Sequence, residues 1–172
     1  MIASKSIVLE NVLEELFSYL PEMSFDNEVT YPVSFGYGDE IELNLWLSTR
    51  EENDPYPLIW LLYPFKENHT DTKLEVENVS FILAIETNNT MQNAERIAET
   101  FGKVLMPLFF NFRSAFKQAN IISTKKEYEL VKHPNYSKSA AREESGTIAI
   151  WDALKVTTSF TVMDTCLREI KF

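Results

Sequence analysis

Cysteine is nearly missing from this 172-residue chain, with Cys166 its sole representative. No internal disulfide can form, and a reducing compartment is expected. Glycine (4) and proline (7) are also scarce, which leaves little room for flexible linkers and favours a single domain. No apolar run approaches the roughly 18 residues of a membrane span. Glu10, Glu14 and Glu15 interrupt the region where a secretory signal needs unbroken apolar residues, so residence in the cytosol is expected. The sequons at Asn68, Asn78, Asn88 and Asn135 then read as chance matches to a short pattern.

Catalytic chemistry is thin as well. His69 and His133 lie in polar stretches without a neighbouring cysteine or a spaced carboxylate pair, so zinc ligation is not expected. There is no glycine-rich phosphate loop, no CxxC and no GxSxG. Glu51, Glu52 and Asp54 form an acidic cluster that lacks calcium-loop spacing and reads as a solvated turn. Cys166 has no histidine near it in sequence and reads as a packing residue. The chain is therefore not expected to be an enzyme, and no cofactor or metal is expected.

Charge is plentiful but lopsided. The net charge is −10. Residues 1–90 carry 17 acidic and 4 basic side chains, and residues 91–172 carry 9 and 12. Nucleic-acid affinity needs clustered Lys and Arg, so general DNA binding is not expected. Opposite charge at opposite ends of a fold favours head-to-tail packing of identical subunits.

Apolar periodicity then sets out the elements. Leu9, Leu13, Phe17 and Leu20, beside Val12 and Leu16, predict a helix from Ser6 to Leu20, stopped by Pro21. "TYPVSFGYG" reads as a strand closing in a turn at Gly36–Gly38. "IELNLWLS" alternates, with Ile41, Leu43, Leu45 and Leu47 on one parity and Trp46 on the polar side as an interface candidate. With "TREENDPYP" as a turn, 41–48 and 58–65 are expected to form a hairpin. "PLIWLLYPF" is apolar without alternation and reads as a strand inside the sheet. In "KLEVENVSFILAIETN" the apolar parity flips, predicting a bulge near Glu77 and Asn78.

A long helix follows, about Met91 to Phe116, with a stripe of Ile97, Phe101, Val104, Leu105, Leu108, Phe112 and Phe116. Pro107 is expected to kink or divide it. Residues 117–146 form a polar excursion that holds Lys125, Lys126, Lys132 and Arg142, candidates for a protein-contact arm. Ile148 to Val162 is expected to be the longest strand, bent near Asp152, where the apolar parity breaks. Leu154, Val156, Phe160 and Val162 should pack on the helix bearing Phe101, Leu105 and Phe112. Lys155 and Thr157 point the other way, as candidates for a subunit interface, because a strand overhanging its own sheet can pair with a neighbour. The fold class is α+β: an antiparallel sheet of about four to six strands packed against two main helices, in one domain.

The order of helix, hairpin with "PLIWLLYPF", strand, long helix "NAERIAETFGKVLMPLFFNFRSAF", polar excursion and final strand "IWDALKVTTSFTVMD" resembles the tail terminator and head–tail connector (neck) proteins of tailed bacteriophages. That resemblance implies a structural virion protein, assembled in the bacterial host cytoplasm as a homo-oligomeric ring around the DNA channel. Its partners would be copies of itself and other neck, portal or tail proteins. DNA would be a passing, weakly contacted channel content, and no membrane is involved. The alternative reading is an acidic protein-binding module, or a DNA-mimic inhibitor of a nucleic-acid enzyme.

Overall fold

The structure, a computed structural model, describes residues 7–24, 30–49, 57–87, 90–136 and 150–163. Helix α1 (Leu9–Ser18) buries Leu9, Val12, Leu13, Leu16 and Phe17, the stripe its spacing predicts. A small antiparallel pair, β1 (Met23–Ser24) and β2 (Thr30–Tyr31), follows it. The main body is a six-stranded sheet. Its members are β3 (Ser34–Gly38), β4 (Leu58–Leu62), β5 (Lys66–His69), β6 (Lys73–Thr87), β7 (Ile122–His133) and β8 (Ile150–Met163). The spatial order is β3-β4-β6-β8-β7, with β5 continuing beside β6 where β4 ends. The fold class is α+β, as the periodicity predicts, and the sheet is mostly antiparallel.

One pair departs from that. β3 runs parallel to β4, Ser34 opposite Leu58 and Gly38 opposite Leu62. Two parallel neighbours need a crossover, and helix α2 (Glu40–Thr49) supplies it. Residues 41–48 are thus helical, not the first arm of a hairpin with 58–65. The local cause is a reciprocal cap. The Glu42 N–H donates to Asp39 Oδ1 at 2.8 Å, and the Asp39 N–H donates to Glu42 Oε2 at 3.0 Å, a capping box. Once helical, the apolar set splits. Leu43 and Leu47, four residues apart, are buried, whereas Ile41 and Leu45 are 77% and 60% exposed.

Gly36 and Gly38 are strand residues of β3, not a turn. A Cβ on Gly36 would lie 2.6 Å from the Trp60 ring, so only glycine lets β4's tryptophan lie flat against β3. Trp60 also donates its Nε1–H to the Gly38 carbonyl at 3.1 Å. β4 has neighbours on both sides and is buried at all five positions, in line with its unbroken apolar run.

The long helical segment divides next to Pro107, as expected, and it does so by a change of helix type. A short α3 (Asn93–Arg96) leads into a π-helical stretch (Ile97–Leu105) and then α4 (Met106–Gln118). Pro107 falls in the first turn of α4, where a missing N–H costs least. The wider π turns shift the buried stripe. Phe101, Val104, Leu105, Leu108, Phe112 and Phe116 face the sheet as predicted. Ile97 turns out to 52% exposure, and Arg96 and Thr100 are buried in its place.

β6 and β8 form the spine. They pair from Lys73↔Met163 to Thr87↔Ile150. The predicted bulge appears between Val76 and Val79, with Asn78 at φ 52°. Among the described residues β6, at 15, is one longer than β8, so β8 is not the longest strand there; Ile148 and Ala149 of the expected strand lie outside the described residues. Nor does β8 overhang: β6 and β7 flank it on either side. Its pairing with β6 runs without a register shift past Asp152, so no bulge divides it there. Residues 122–133 of the expected polar excursion are β7, a strand whose alternating burial the charges conceal.

Two cores result. On one face of the sheet α1, the π-helical stretch and α4 cover Phe81, Leu83, Leu154, Val156, Phe160 and Val162. The Phe116 and Phe160 rings lie edge-on with centroids 5.0 Å apart, which bears out the expected packing of β8's even positions. On the other face α2 seals a smaller core of Leu43, Leu47, Trp60, Ile82 and Trp151. Trp46 packs against this core from α2, its ring 6.1 Å from that of Trp60.

Candidate functional site

The α2-side face of the sheet is only partly covered. Beyond Ile82 and Ala153, Ser80, Lys155, Thr157, Ser159 and Thr161 continue across it, half-buried and belonging to neither core. Their hydroxyls are ordered by one another and by the bulge. Ser80 Oγ and Thr157 Oγ1 are 3.1 Å apart, and the Asn78 N–H donates to Ser159 Oγ at 3.0 Å. Cross-strand Ser–Thr pairs of this kind stabilise a sheet modestly and leave donors and acceptors facing outward. Lys155 and Thr157, the predicted interface pair, therefore lie side by side on a polar, partly open surface.

The two edges of the sheet differ. β7 is one edge, and it carries Lys125, Lys126 and Lys132 against Glu127 and Glu129. Its pairing with β8 slips between Thr124 and Tyr128, and Lys126 sits at φ 63°. A lysine-bearing bulge is a standard way to blunt an open strand edge. The opposite edge, β3, carries no charged side chain, and the exposed Asp39, Glu40 and Glu42 that follow it start an α2 that crosses the sheet face towards Trp151 and Tyr136. Across the sheet, Lys73 bonds Glu75 and holds its carboxyl below the ordinary range, and Lys125 adds to that effect from β7.

A cleft of about 580 Å³ opens between the first turn of α1 and the β4–β5 connection. Ile7, Val8, Pro64 and Phe65 make its apolar wall, and Glu10, Tyr63, Glu67 and His69 its polar groups. The Tyr63 hydroxyl donates to Glu10 Oε1. Burial, and then the bond and charge of Glu10, push the Tyr63 phenol well above its ordinary pKa. His69 Nε2 lies 2.9 Å from Glu67 Oε2.

Asp152 breaks the apolar parity of β8 for a reason invisible in its own strand. It is fully buried beneath the helix and accepts three hydrogen bonds: from Arg96 Nη1 at 2.8 Å, Thr100 Oγ1 at 2.7 Å and the Asn135 N–H at 3.0 Å. Arg96, 2% exposed, also donates Nε–H to the Met91 carbonyl. A buried pair is tolerable when its remaining lone pairs and protons are met this way. The network ties the helix start, β8 and the turn after β7 together. Sequence reasoning reads Asp152 as a bend and passes over Arg96. The available signal was an aspartate at a core position of a strand matched by an arginine beside the helix's apolar stripe.

The remaining expected site residues fall as follows. Lys125, Lys126 and Lys132 share β7, whereas Trp46 stands on α2 and packs against the core beneath it. His133 ends β7, its ring 5.7 Å from that of Tyr136. Glu51, Glu52, Asp54, Arg142 and Cys166 lie outside the described residues. Among the described residues, no group of three or more His, Cys, Asp or Glu side chains could hold a metal ion, and no helix is long and apolar enough to cross a membrane. What the described surfaces offer is exposed charge, hydroxyl hydrogen bonding and the cleft beside Glu10 and Glu67. Compared with known proteins, the chain matches no protein-family model and no curated sequence.

Proposed function

We propose that this chain is a structural virion subunit of a tailed bacteriophage, closing into a ring around the DNA channel at the head–tail junction or the tail end. The reading is carried by the polarity of the sheet. The strand order sets β3, with α1 packed on it, at one edge and the lysine-bearing β7 at the other, and residues 1–90, which supply α1 and β3, carry 17 acidic against 4 basic side chains. Unlike edges on one subunit favour a heterologous contact, which closes into a ring when the rotation permits. The net charge of −10 suits a channel through which DNA must slide without sticking. Neighbouring neck, portal or tail proteins would meet the polar sheet face of Lys155 and Thr157.

The alternative, a DNA-mimic inhibitor, asks for carboxylates contiguous on one face. Those of α1 and α2 lie on opposite faces of the sheet. Native mass spectrometry over a concentration series tests the ring reading, with a single closed assembly expected. A strict monomer at every concentration, still unassembled when virion partners are added, overturns it.

A further inference from the structure

At the level where β5 replaces β4, four strands lie side by side in the order β5, β6, β8, β7. His69 pairs with Leu74, Leu74 with Val162, and Val162 with Ile122. The Glu10/Glu67 cleft opens beside β5 at one end of this strip. The Lys125–Lys126 bulge projects from β7 near the other. Three strand spacings separate them by about 14 Å, further than a lysine side chain reaches. Within one copy the two features cannot meet.

They are complementary nonetheless. The cleft is concave, walled by Val8, Pro64 and Phe65, and it holds the carboxylates of Glu10 and Glu67. An aliphatic wall leading to carboxylates suits a lysine, whose methylene stem packs on apolar surface while its ammonium pairs with acid. Tyr63 and His69 each occupy one oxygen of those carboxylates, and an ionised carboxyl has about four acceptor sites, so capacity remains. On the far edge Lys125 and Lys126 are both exposed, and the left-handed backbone at Lys126 breaks the flat line of the strand. Concave acid beside β5 and exposed base on β7, where Lys125 also acts on Glu75 of its own sheet, define a contact that repeats head to tail.

We infer that the Lys125–Lys126 bulge of one copy docks in the Glu10/Glu67 cleft of the next copy. This rests on the ring reading and names the surface through which the ring closes.

The test is charge exchange, read by sedimentation velocity. Glu67→Lys and Lys126→Glu should each weaken self-association by roughly tenfold or more, and the double variant should regain much of it. An equal mixture of the two single variants alternates an intact junction with a charge-exchanged one, so it should regain assembly that neither variant shows alone. Wild-type assembly should weaken between about 0.01 M and about 1 M salt, as the Debye length falls from about 30 Å to about 3 Å. Lys126→Gly, which suits the left-handed backbone, guards against loss of fold and should also weaken assembly. If the wild type forms rings and every variant forms them equally well, the docking site is wrong and the ring reading stands. If the wild type never assembles, the ring reading fails and the docking fails with it.

Discussion

Asp152 joins the helix start, β8 and the turn after β7 through one buried carboxylate. Removing one partner of a buried ion pair strands the other charge, at a cost of about 3–5 kcal/mol. Asp152→Ala should therefore lower unfolding stability by about that amount in urea titrations. Replacing both partners, Arg96→Met with Asp152→Leu, should restore much of the loss, because an apolar pair of similar volume avoids the desolvation cost. Two equally damaging single variants with an equally damaged double would contradict this.

A second residue-scale outcome concerns Tyr63. Its folded-state pKa is raised, chiefly by burial and then by Glu10, so the folded protein holds the neutral phenol. That stabilisation is complete below about pH 10, the ordinary tyrosine value, and is lost as pH rises through the raised value. Tyr136, pushed up to about 12 by burial and by Glu40, behaves alike. Thermal melts should fall steeply above about pH 10, and Tyr63→Phe should make that fall shallower. A variant whose pH profile superimposes on the wild type would show that Tyr63 does not contribute.

Among the elements, α1, β4, β6 and the long helix are legible in the sequence because each has one dominant apolar pattern. "IELNLWLS" fails because apolar residues at 41, 43, 45 and 47 satisfy a period of two, while only Leu43 and Leu47 are needed inside. The deciding signal is not periodicity but the Asp39-x-x-Glu42 cap, which stands ahead of the run. Asp39→Ala should accordingly destabilise the protein by about 1 kcal/mol, seen as a lowered urea midpoint. β7 is hidden for the opposite reason: an edge strand protects itself with charge, so its pattern resembles a loop. The strand–helix packing was readable from parity alone. Phe160→Ala, which empties a site against Phe116, should cost about 3–5 kcal/mol, measured by the same titration.

At the scale of the whole molecule, the candidate surfaces were half readable. Lys155 and Thr157 emerge from strand parity, and the lysines from composition. The cleft does not, because it brings α1 together with residues more than fifty positions away, and no local pattern reports such a meeting. Thr157→Asp places a charge on the partly open sheet face without touching either core. The variant should stay folded by circular dichroism, keep the wild-type mass by light scattering when alone, and fail to gain mass when a neighbouring neck, portal or tail protein is added. A gain equal to that of the wild type would mean that this face looks only at water.

The pairing of β6 with β8 has a consequence for how the chain reaches its fold. β6 is apolar on both sides over Phe81–Ile85, and its longest partner begins only at Ile150. The helical segment and β7 intervene, so a large loop must close before the sheet's central ladder can form. Contacts this distant in sequence slow folding. A chain leaving the ribosome therefore displays one flank of its most apolar strand until β8 emerges, and in that interval it is open to aggregation or to a chaperone.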